Sequence, residues 1–273
     1  MGSLRSRYLL ILLASMLALA IIPLSGRAAM ANPEASTLEK VTKRGELRVG
    51  WSDWFPFLYR DPKTQQLTGF TVDLYQHMAK VLNVKLVWVE NPWGTMPAGL
   101  QADKFDVISN ANRTSARLLV AEYVGPITST SKALMTTKAK VGRYNKWQDA
   151  DNPKTSICTG QGTATDVEMT RVFTKANLMR PEGNPACIAA VAAGRADIYA
   201  DDVGNLIALM NEQPNFAVVP NSNFSKAEMG IYVRQGDQIM VNWLNWFIRD
   251  IKQQGLVDQW LQKYKIEGVE VAW

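Results

Sequence analysis

Residues 105–117 read FDVISNANRTSAR. The stretch starts as an apolar strand, and its pattern then predicts a polar turn and a helix from Thr114, with Arg117 one turn inside it. The predicted turn contains Ser109, Asn110 and Asn112. First-turn amides have no partner inside a helix, so such a junction can hold an anion, and an arginine there can bind a carboxylate through two hydrogen bonds. The alternative is an ordinary junction with a surface arginine.

The segments around this stretch alternate between strand and helix patterns. Strands are predicted at 46–51, 85–90 and 105–109, and helices at 71–82 and 95–102. Strands that are linked through helices form βαβ units with a parallel sheet. The pattern therefore predicts an α/β lobe that ends near residue 130.

A second set of the same kind follows. Strands are predicted at 131–138, 155–159, 196–202, 216–221 and from residue 228, and helices at 164–177, 189–193 and 239–254, with a last one after Gly255. Gly255 stands where a glycine commonly ends a helix. The roughly 240 residues of the whole pattern suit one large domain or two lobes of about 120 residues each.

The amino terminus has the pattern of an export signal. Arg5 and Arg7 precede an apolar run over residues 8–22, and Ala-Met-Ala at 29–31 offers the small-x-small sequence of a signal peptidase site. This run is shorter than the about 20 residues that span a bilayer, so a retained membrane anchor is the weaker alternative. We predict a signal peptide over residues 1–31, cleavage after Ala31, and a periplasmic location.

The charge balance gives no sign of a nucleic-acid partner. The chain has 30 basic and 25 acidic residues, but Arg5, Arg7 and Arg27 lie in the predicted signal peptide, which contains no acidic residue. The mature chain would keep 27 basic and 25 acidic residues, with no dense cluster of lysine and arginine. We therefore expect no nucleic-acid binding.

Two cysteines and one histidine limit the chemistry that is open to the chain. Cys158 and Cys187 suit a disulfide in an oxidising compartment, which would close a loop of about 30 residues and stabilise the fold by roughly 3–4 kcal/mol. A metal pair or a nucleophilic cysteine lacks partners, since His77 is the single histidine and the sequence contains no HExxH or CxxC motif. We expect no metal and no cofactor.

Residues 160–165, GQGTAT, follow a predicted strand and lead into a predicted helix. They half-match a dinucleotide-binding sequence, but the third glycine and the later acidic residue are absent. A second anion-holding junction is the better interpretation, with Thr163 as the N-cap and Asp166 three residues later. Plain helix capping is the alternative.

Several pieces of the sequence resemble the periplasmic amino-acid-binding proteins of ABC importers, solute-binding protein family 3. The resemblance covers roughly residues 44–265. Its pieces are RGELRVG (44–50), the PF of WFPF (54–57), LTGFTVDL (67–74), KFDVISNANRTSAR (104–117), QGT (161–163), AGRADIYADD (193–202) and the closing helices around Gly255. Each piece is weak alone, and their order and spacing together are specific.

The resemblance implies an α/β fold of the type II periplasmic-binding class, in which two lobes close over a ligand. Each lobe would be a mostly parallel sheet flanked by helices, and two strands would form the hinge. Lobe one would comprise residues 38–130 and 226–273, and lobe two residues 131–225. The hinge segments would lie near Thr128–Ser131 and Phe224–Lys226.

The resemblance also implies roles for residues that match the family's motifs. Arg117 matches the arginine of a T-x-x-R motif, begun by Thr114, that binds an α-carboxylate. Thr163 matches a threonine of lobe two that touches the same carboxylate, and Asp201 matches the acidic residue that receives the α-ammonium group. The remaining implied ligand-binding residues are Asn110 and Asn112, where the family usually has serine or small polar residues, and Trp54 and Trp93, which would line the cleft.

A free amino acid is a zwitterion, so its site needs fixed donors at one end and a carboxylate at the other. Some choices stay open. Asp202 is the alternative to Asp201, core packing is the alternative for both tryptophans, and Arg113 would either line the cleft or face solvent. Arg113 favours an acidic ligand whereas the aromatic loop at 51–59 favours an apolar or cationic one, so we name no amino acid.

The sequence therefore predicts a monomeric, exported binding protein, and not an enzyme, that captures an amino acid or a close analogue and delivers it to a membrane ABC permease. The main alternative is a cyclohexadienyl dehydratase, because such enzymes share the fold and TKANL (174–178) and KAEMGIYVRQGD (226–237) resemble them. Their chemistry needs a carboxylic acid two residues after the lobe-two threonine, where this chain has Thr165. An accessory or sensor module that binds another protein is a third alternative.

Overall fold

The computed structural model describes residues 35–273. The predicted signal peptide and its cleavage site after Ala31 lie outside the described residues. No helix within residues 35–273 is both long enough and apolar enough to cross a membrane.

Two strands of the described chain are long, and the others have two to six residues. In chain order the strands are β1 (Glu46–Trp51), β2 (Tyr59–Arg60), β3 (Leu67–Thr68), β4 (Lys85–Glu90), β5 (Val107–Asn112), β6 (Glu122–Thr137), β7 (Ser156–Cys158), β8 (Asn177–Met179), β9 (Ile198–Asp202), β10 (Phe216–Val218), β11 (Ser225–Val233) and β12 (Val269–Val271). The long ones, β6 and β11, have 16 and 9 residues.

The helices begin and end with recognisable caps. They are α1 (Thr37–Arg44), α2 (Phe70–Leu82), α3 (Met96–Gln101), α4 (Ser115–Leu118), α5 (Lys138–Val141), α6 (Ala164–Val172), α7 (Asn184–Ala192), α8 (Val203–Glu212), α9 (Gln238–Gln253) and α10 (Leu256–Lys263), with 3₁₀ turns at Trp93–Thr95 and Trp147–Ala150. Ser36 and Glu39 form a capping box at α1. Gly255, with a φ of 69°, separates α9 from α10 as predicted.

Ten of the strands in residues 35–273 form one sheet, in the order β4-β1-β5-β11-β6-β9-β7-β8, with β10 and β12 paired to β6. The pairs of β1 with β4 and β5, and of β7 with β8 and β9, are parallel. In the middle of the sheet β5, β11, β6 and β9 pair antiparallel. The parallel groups come from strand-helix-strand units, which confirms the predicted α/β class.

Buried apolar residues gather on both sides of the central strands. The largest cluster draws on residues 41–127 and 229–266. Two smaller clusters draw on residues 133–219. β6 contributes to all three clusters, because it runs past both groups of parallel strands. The bounds of the two lobes stay a prediction.

Some local predictions are wrong. The predicted polar turn after residue 109 is instead the second half of β5, because Ala111 and Asn112 pair with Gly230 and Met229 of β11. The predicted helix at 164–177 ends at Val172, since the residues from Asn177 onward form β8 beside β7. The sequence prediction also lacks α8.

Cys158 and Cys187 form the predicted disulfide, with their Cα atoms 5.4 Å apart. Cys158 ends β7 and Cys187 lies in the first turns of α7. Both side chains are buried in one apolar cluster. The bond therefore ties α7 to the strand that precedes the GQGT loop.

Candidate ligand-binding site

A cavity of about 20 Å³ lies at the ends of β5 and β9. Its lining consists of Trp54, Trp93, Asn112, Arg117, Thr163, Ala164, Thr165, Asn184 and Asp201. The structure thus brings together Arg117, Thr163 and Asp201, which the sequence places far apart. This volume holds about one water molecule, so the walls lie close together and a larger ligand requires them to move apart.

Arg117 forms the basic end of the cavity. Its guanidinium is buried, and Nη1 donates to the carbonyl oxygen of Asn112 at 2.8 Å while Nη2 donates to that of Gly162 at 3.4 Å. The rings of Trp93 and Tyr232 lie 5.3 and 6.0 Å away. Burial lowers the pKa of Arg117, but an arginine stays charged in proteins. No carboxylate within residues 35–273 pairs with this charge, so it is free to bind an anion.

Thr114 acts on this end indirectly. Its side chain caps α4 by accepting from the backbone N–H of Arg117 at 3.2 Å, and its own N–H donates to the hydroxyl of Tyr232 at 3.1 Å. Thr114 is absent from the cavity lining. Since α4 has only four residues, the junction supplies the Arg117 side chain rather than a long helix end.

Thr163 lies on the opposite wall, as the N-cap of α6. Its hydroxyl accepts from the N–H of Asp166 at 3.1 Å and donates to the carbonyl of Gly160 at 2.8 Å. Ala164 and Thr165, in the first turn of α6, also line the cavity. First-turn amides have no partner within the helix, so this wall adds hydrogen-bond donors near Arg117.

Asp201 forms the acidic end of the cavity. It is buried and accepts hydrogen bonds from the hydroxyl of Tyr199, the Asn184 amide at 3.0 Å, the N–H of Asp202 at 2.8 Å and, more weakly, the Thr165 hydroxyl at 3.5 Å. These donors are all uncharged. Burial first, and then the negative charge of Asp202, raise the pKa of Asp201 to about 7. A ligand cation beside this carboxylate would lower that pKa again.

Asp202 has a different environment from its neighbour. One of its oxygens accepts from the ammonium of Lys132 at 2.8 Å, and the other accepts from the amide of Asn112 at 2.6 Å. Asp202 is fully buried and does not line the cavity. Between the two aspartates that the sequence offers, Asp201 is therefore the one that faces the ligand space without a cation of its own.

Trp54 and Trp93 form the aromatic part of the wall. Trp54 stacks on Phe57 with ring centres 4.3 Å apart, and it meets the edge of Trp93 at 6.2 Å. Both tryptophans are mostly buried, yet both line the cavity. Packing and cavity lining are therefore not exclusive alternatives for these two residues.

Two other predicted positions take different places. Asn110 is buried beneath the cavity, where its amide contacts the sulfur of Met229 at 3.9 Å, and it is absent from the lining. Arg113 is exposed and pairs with Glu228 at 2.8 Å. Arg113 therefore faces solvent rather than the ligand space.

Asn184 and Lys132 belong to the site but have no signal in the sequence. Asn184 is the first residue of α7 and lines the cavity through its contact with Asp201. The side-chain oxygens of Asn112 and Asn184 are buried and have no hydrogen-bond partner among the described residues. These oxygens add acceptors to the cavity wall, and an asparagine at the start of a helix gives no sequence signal of such a role.

The two walls of the cavity touch each other. Besides the contacts of Asn112 with Asp202 and of Arg117 with Gly162, the Asn205 amide donates to the carbonyl of Phe55. Gly94 and Gly162 also meet, because a Cβ added at Gly162 would lie 2.4 Å from the Cα of Gly94. The cavity is therefore largely closed over.

The sequence pattern of the bacterial extracellular solute-binding proteins, family 3, matches residues 47–267. The chain belongs to this family. The match takes in every residue that lines the cavity. Among family-3 relatives, a probable amino-acid ABC transporter-binding protein of Haemophilus influenzae is 24% identical over 224 residues, which cover 81% of this chain and 85% of the relative. The L-cystine-binding protein TcyJ of Escherichia coli K12 is 23% identical over 247 residues, 90% of this chain and 92% of the relative.

Solved structures show the same fold. The ancestral amino acid-binding protein AncCDT-1, described as a precursor of cyclohexadienyl dehydratase, is 28% identical with a TM-score of 0.78, and the match covers 84% of this chain and 99% of that one. The P235GK mutant of ArgBP from T. maritima is 25% identical with a TM-score of 0.78, and covers 85% and 100%. This family-3 protein therefore has the type II periplasmic-binding fold that the sequence predicts.

Within residues 35–273, no group of three or more His, Cys, Asp and Glu side chains is arranged to hold a metal ion. The solute-binding proteins similar to this chain are binding proteins and not enzymes by their names. The donors, acceptors and charges of the cavity indicate which kind of molecule it can bind.

Proposed function

We propose that this solute-binding protein captures a free amino acid, or a close analogue, in the cavity between Arg117 and Asp201. The observation that carries the proposal is a pair of opposite, buried charges in one cavity, each without a charged partner of the other sign in the described chain. Buried charges must be paired, so the complement of this cavity is a molecule with a carboxylate at one end and an ammonium at the other.

The ligand carboxylate would accept from Arg117 and from the first turn of α6, where Thr163 is the cap. The ligand ammonium would donate to Asp201. Its further N–H groups suit the unpaired oxygens of Asn112 and Asn184. Trp54 and Trp93 would pack against the remainder of the ligand.

The two walls would belong to two lobes that close by a hinge. In this proposal lobe one comprises residues 38–130 and 226–273, and lobe two residues 131–225. The separate apolar clusters support this division, and β6 and β11 are the two strands that would bend. Asn112 and Asp202 would then part when the cavity opens.

The names of the relatives support an amino acid as the class of ligand, but they do not agree on a single amino acid. Their names refer to amino acids, to cystine and, for the T. maritima structure in one form, to arginine. We infer that this chain acts as a monomer in the periplasm, after removal of residues 1–31, and hands its ligand to the permease of an ABC importer.

A thermal-shift screen tests the proposal directly. Residues 32–273 are heated with each common L-amino acid and, in parallel, with the matching 2-oxo acid and the matching amine. A ligand that binds only the folded protein raises the melting temperature with the logarithm of its concentration. An amino acid should do so and its two singly charged analogues should not. Equal shifts by an amino acid and its 2-oxo acid would remove the proposed role of Asp201.

We infer that the chain has no dehydratase activity, although AncCDT-1 shares its fold. Thr165 stands two residues after Thr163, and its hydroxyl is held by the Lys132 ammonium at 3.1 Å. A threonine hydroxyl is not an acid near neutral pH, so it cannot protonate a leaving hydroxyl group. Incubation with prephenate should yield phenylpyruvate no faster than buffer does, as followed by ultraviolet absorbance.

A further inference from the structure

A buried lysine lies directly behind the cavity wall. The Lys132 side chain is 2% exposed, and its Nζ donates to Asp202 Oδ1 at 2.8 Å and to Thr165 Oγ1 at 3.1 Å. Lys132 in β6 and Asp202 in β9 are directly opposite each other in the sheet. Amino-acid binding by Arg117 and Asp201 makes no use of this ammonium.

The ion pair reaches the ligand space through two lining residues. Thr165 lines the cavity and accepts from Lys132, and Asn112 lines the cavity and donates to Asp202 at 2.6 Å. Thr165 and Asn112 therefore each contact both the cavity and the Lys132–Asp202 pair. Removal of the lysine from this pair would therefore leave an unpaired negative charge next to the cavity.

The charges around the cavity balance only because of Lys132. Two carboxylates, Asp201 and Asp202, are adjacent and buried, and Arg117 lies at the far end. Lys132 neutralises Asp202, which leaves one acidic and one basic group for the ligand. Without that ammonium, one of the two adjacent buried carboxylates would have to take up a proton or a second cation.

We propose that Lys132 is a specificity-determining residue whose ammonium takes the place, at Asp202, of a second cationic group on the ligand. The cavity accordingly prefers amino acids with uncharged side chains over diamino acids. This inference rests on the proposed function for the carboxylate and the first ammonium of the ligand. It adds that the cavity discriminates between amino acids by the charge of their side chains.

The first test replaces the lysine by a soluble ammonium ion. Lys132→Ala leaves Asp202 without a cation and opens space beside it, so the variant should melt roughly 10 °C below the parent. Ethylammonium chloride should raise its melting temperature well beyond the effect of equal potassium chloride, as followed by differential scanning fluorimetry. The parent should show no such difference. An Lys132→Ala protein that responds equally to the two salts overturns the proposal.

Lys132→Met is the matched control, because methionine fills much of the space of the lysine stem and carries no charge. It should gain nothing from ethylammonium. Rescue of Lys132→Met to the same extent as Lys132→Ala would show that the salt acts elsewhere, which also overturns the proposal.

The second test measures selectivity by titration calorimetry with L-norvaline and L-ornithine, which share a three-carbon side chain and differ in its terminal ammonium. In Lys132→Ala, where the space beside Asp202 is open, the ratio of the two dissociation constants should move by about tenfold or more towards ornithine, relative to the parent. An unchanged ratio overturns the proposal. The ethylammonium test needs no amino acid, so it decides whether Lys132 supplies the cation of Asp202 separately from the proposed amino-acid binding, and the calorimetric ratio decides the effect on specificity.

Discussion

The basic and acidic ends of the cavity are built in different ways. The basic end is local, since Asn112, Thr114 and Arg117 lie within six consecutive residues and hydrogen-bond to one another. The acidic end is assembled from four separate elements that bring Lys132, Thr165, Asn184 and Tyr199 around Asp201 and Asp202. A function that depends on local geometry leaves a motif in the sequence, whereas one that depends on burial and charge balance leaves single residues scattered along it.

The largest expected effect is at the basic end. Arg117→Ala should weaken the best ligand by about 2–4 kcal/mol, because the ligand carboxylate loses a bidentate, charge-assisted partner inside a closed cavity. Arg113→Ala is the matched control, since Arg113 lies four residues away but is exposed and pairs with Glu228. Titration calorimetry measures both variants, and circular dichroism verifies that each is folded. Parent-like affinity in Arg117→Ala would place the carboxylate elsewhere.

At the acidic end, Asp201→Asn should weaken an amino acid by about 2–3 kcal/mol, because the ligand ammonium loses its buried carboxylate. The same substitution should change little for an analogue of that ligand without the amine. Calorimetry with both ligands on parent and variant gives a double comparison. A loss of equal size for the two ligands would mean that Asp201 shapes the cavity and does not bind the amine.

The acidic end should also make binding depend on pH. With a pKa raised to about 7, Asp201 is partly protonated in the free protein at neutral pH. The ammonium binds the ionised form, so binding below that pKa must first release a proton. Affinity should therefore be about tenfold lower at pH 6 than at pH 8.

Asp201→Asn is the control for this pH dependence, and its affinity should be level over the same range. His77, the single histidine of the chain, contacts Phe247 and Trp260 and is absent from the cavity lining. A pH dependence that survives in Asp201→Asn would point to a group other than Asp201.

The smallest effect is expected from Asn184, which supports the acidic end from the side. Asn184→Ala removes one uncharged donor to Asp201 and one uncharged acceptor for the ligand ammonium, and should weaken an amino acid by about 1 kcal/mol. Calorimetry at pH 8, where Asp201 is ionised in both proteins, isolates this contribution. A loss as large as that of Asp201→Asn would contradict the ranking of a neutral amide below the carboxylate.

The same contrast explains how far the sequence predicts the molecule. Alternating apolar patterns are local, so they predict β1, α2 and β4 within a residue of their observed ends. The second half of β5 escapes prediction because its hydrogen bonds go to β11, far along the chain. Polar residues such as Asn110 and Asn112 predict a turn, because the local sequence does not show that they pair with β11.

The sequence likewise predicts some residues of the site and not others. Arg117, Thr163 and Asp201 are predictable because they fall in motifs, and the disulfide because only two cysteines exist. The choice between Asp201 and Asp202 is not predictable, since they are the last two residues of the same strand. What separates them is the ammonium of Lys132, and pairing across β6 and β9 is not visible in the sequence.

Under the proposed hinge motion, the meeting of Gly94 and Gly162 would make the ratio of open to closed molecules adjustable at a distance from the ligand. A Cβ at Gly94 would lie 4.0 Å from the Cα of Gly162, which is an ordinary contact, whereas a Cβ at Gly162 would lie 2.4 Å from the Cα of Gly94. Gly162 also has a φ of 71°, which disfavours any side chain there. Alanine at 162 would hinder closure of the proposed lobes, because its methyl group would clash with Gly94. The apparent dissociation constant would then rise in proportion as the closed fraction falls. Alanine at 94 would leave the closed fraction unchanged. A comparison of the two alanine variants therefore separates the intrinsic affinity of the closed form from the fraction of molecules that are closed.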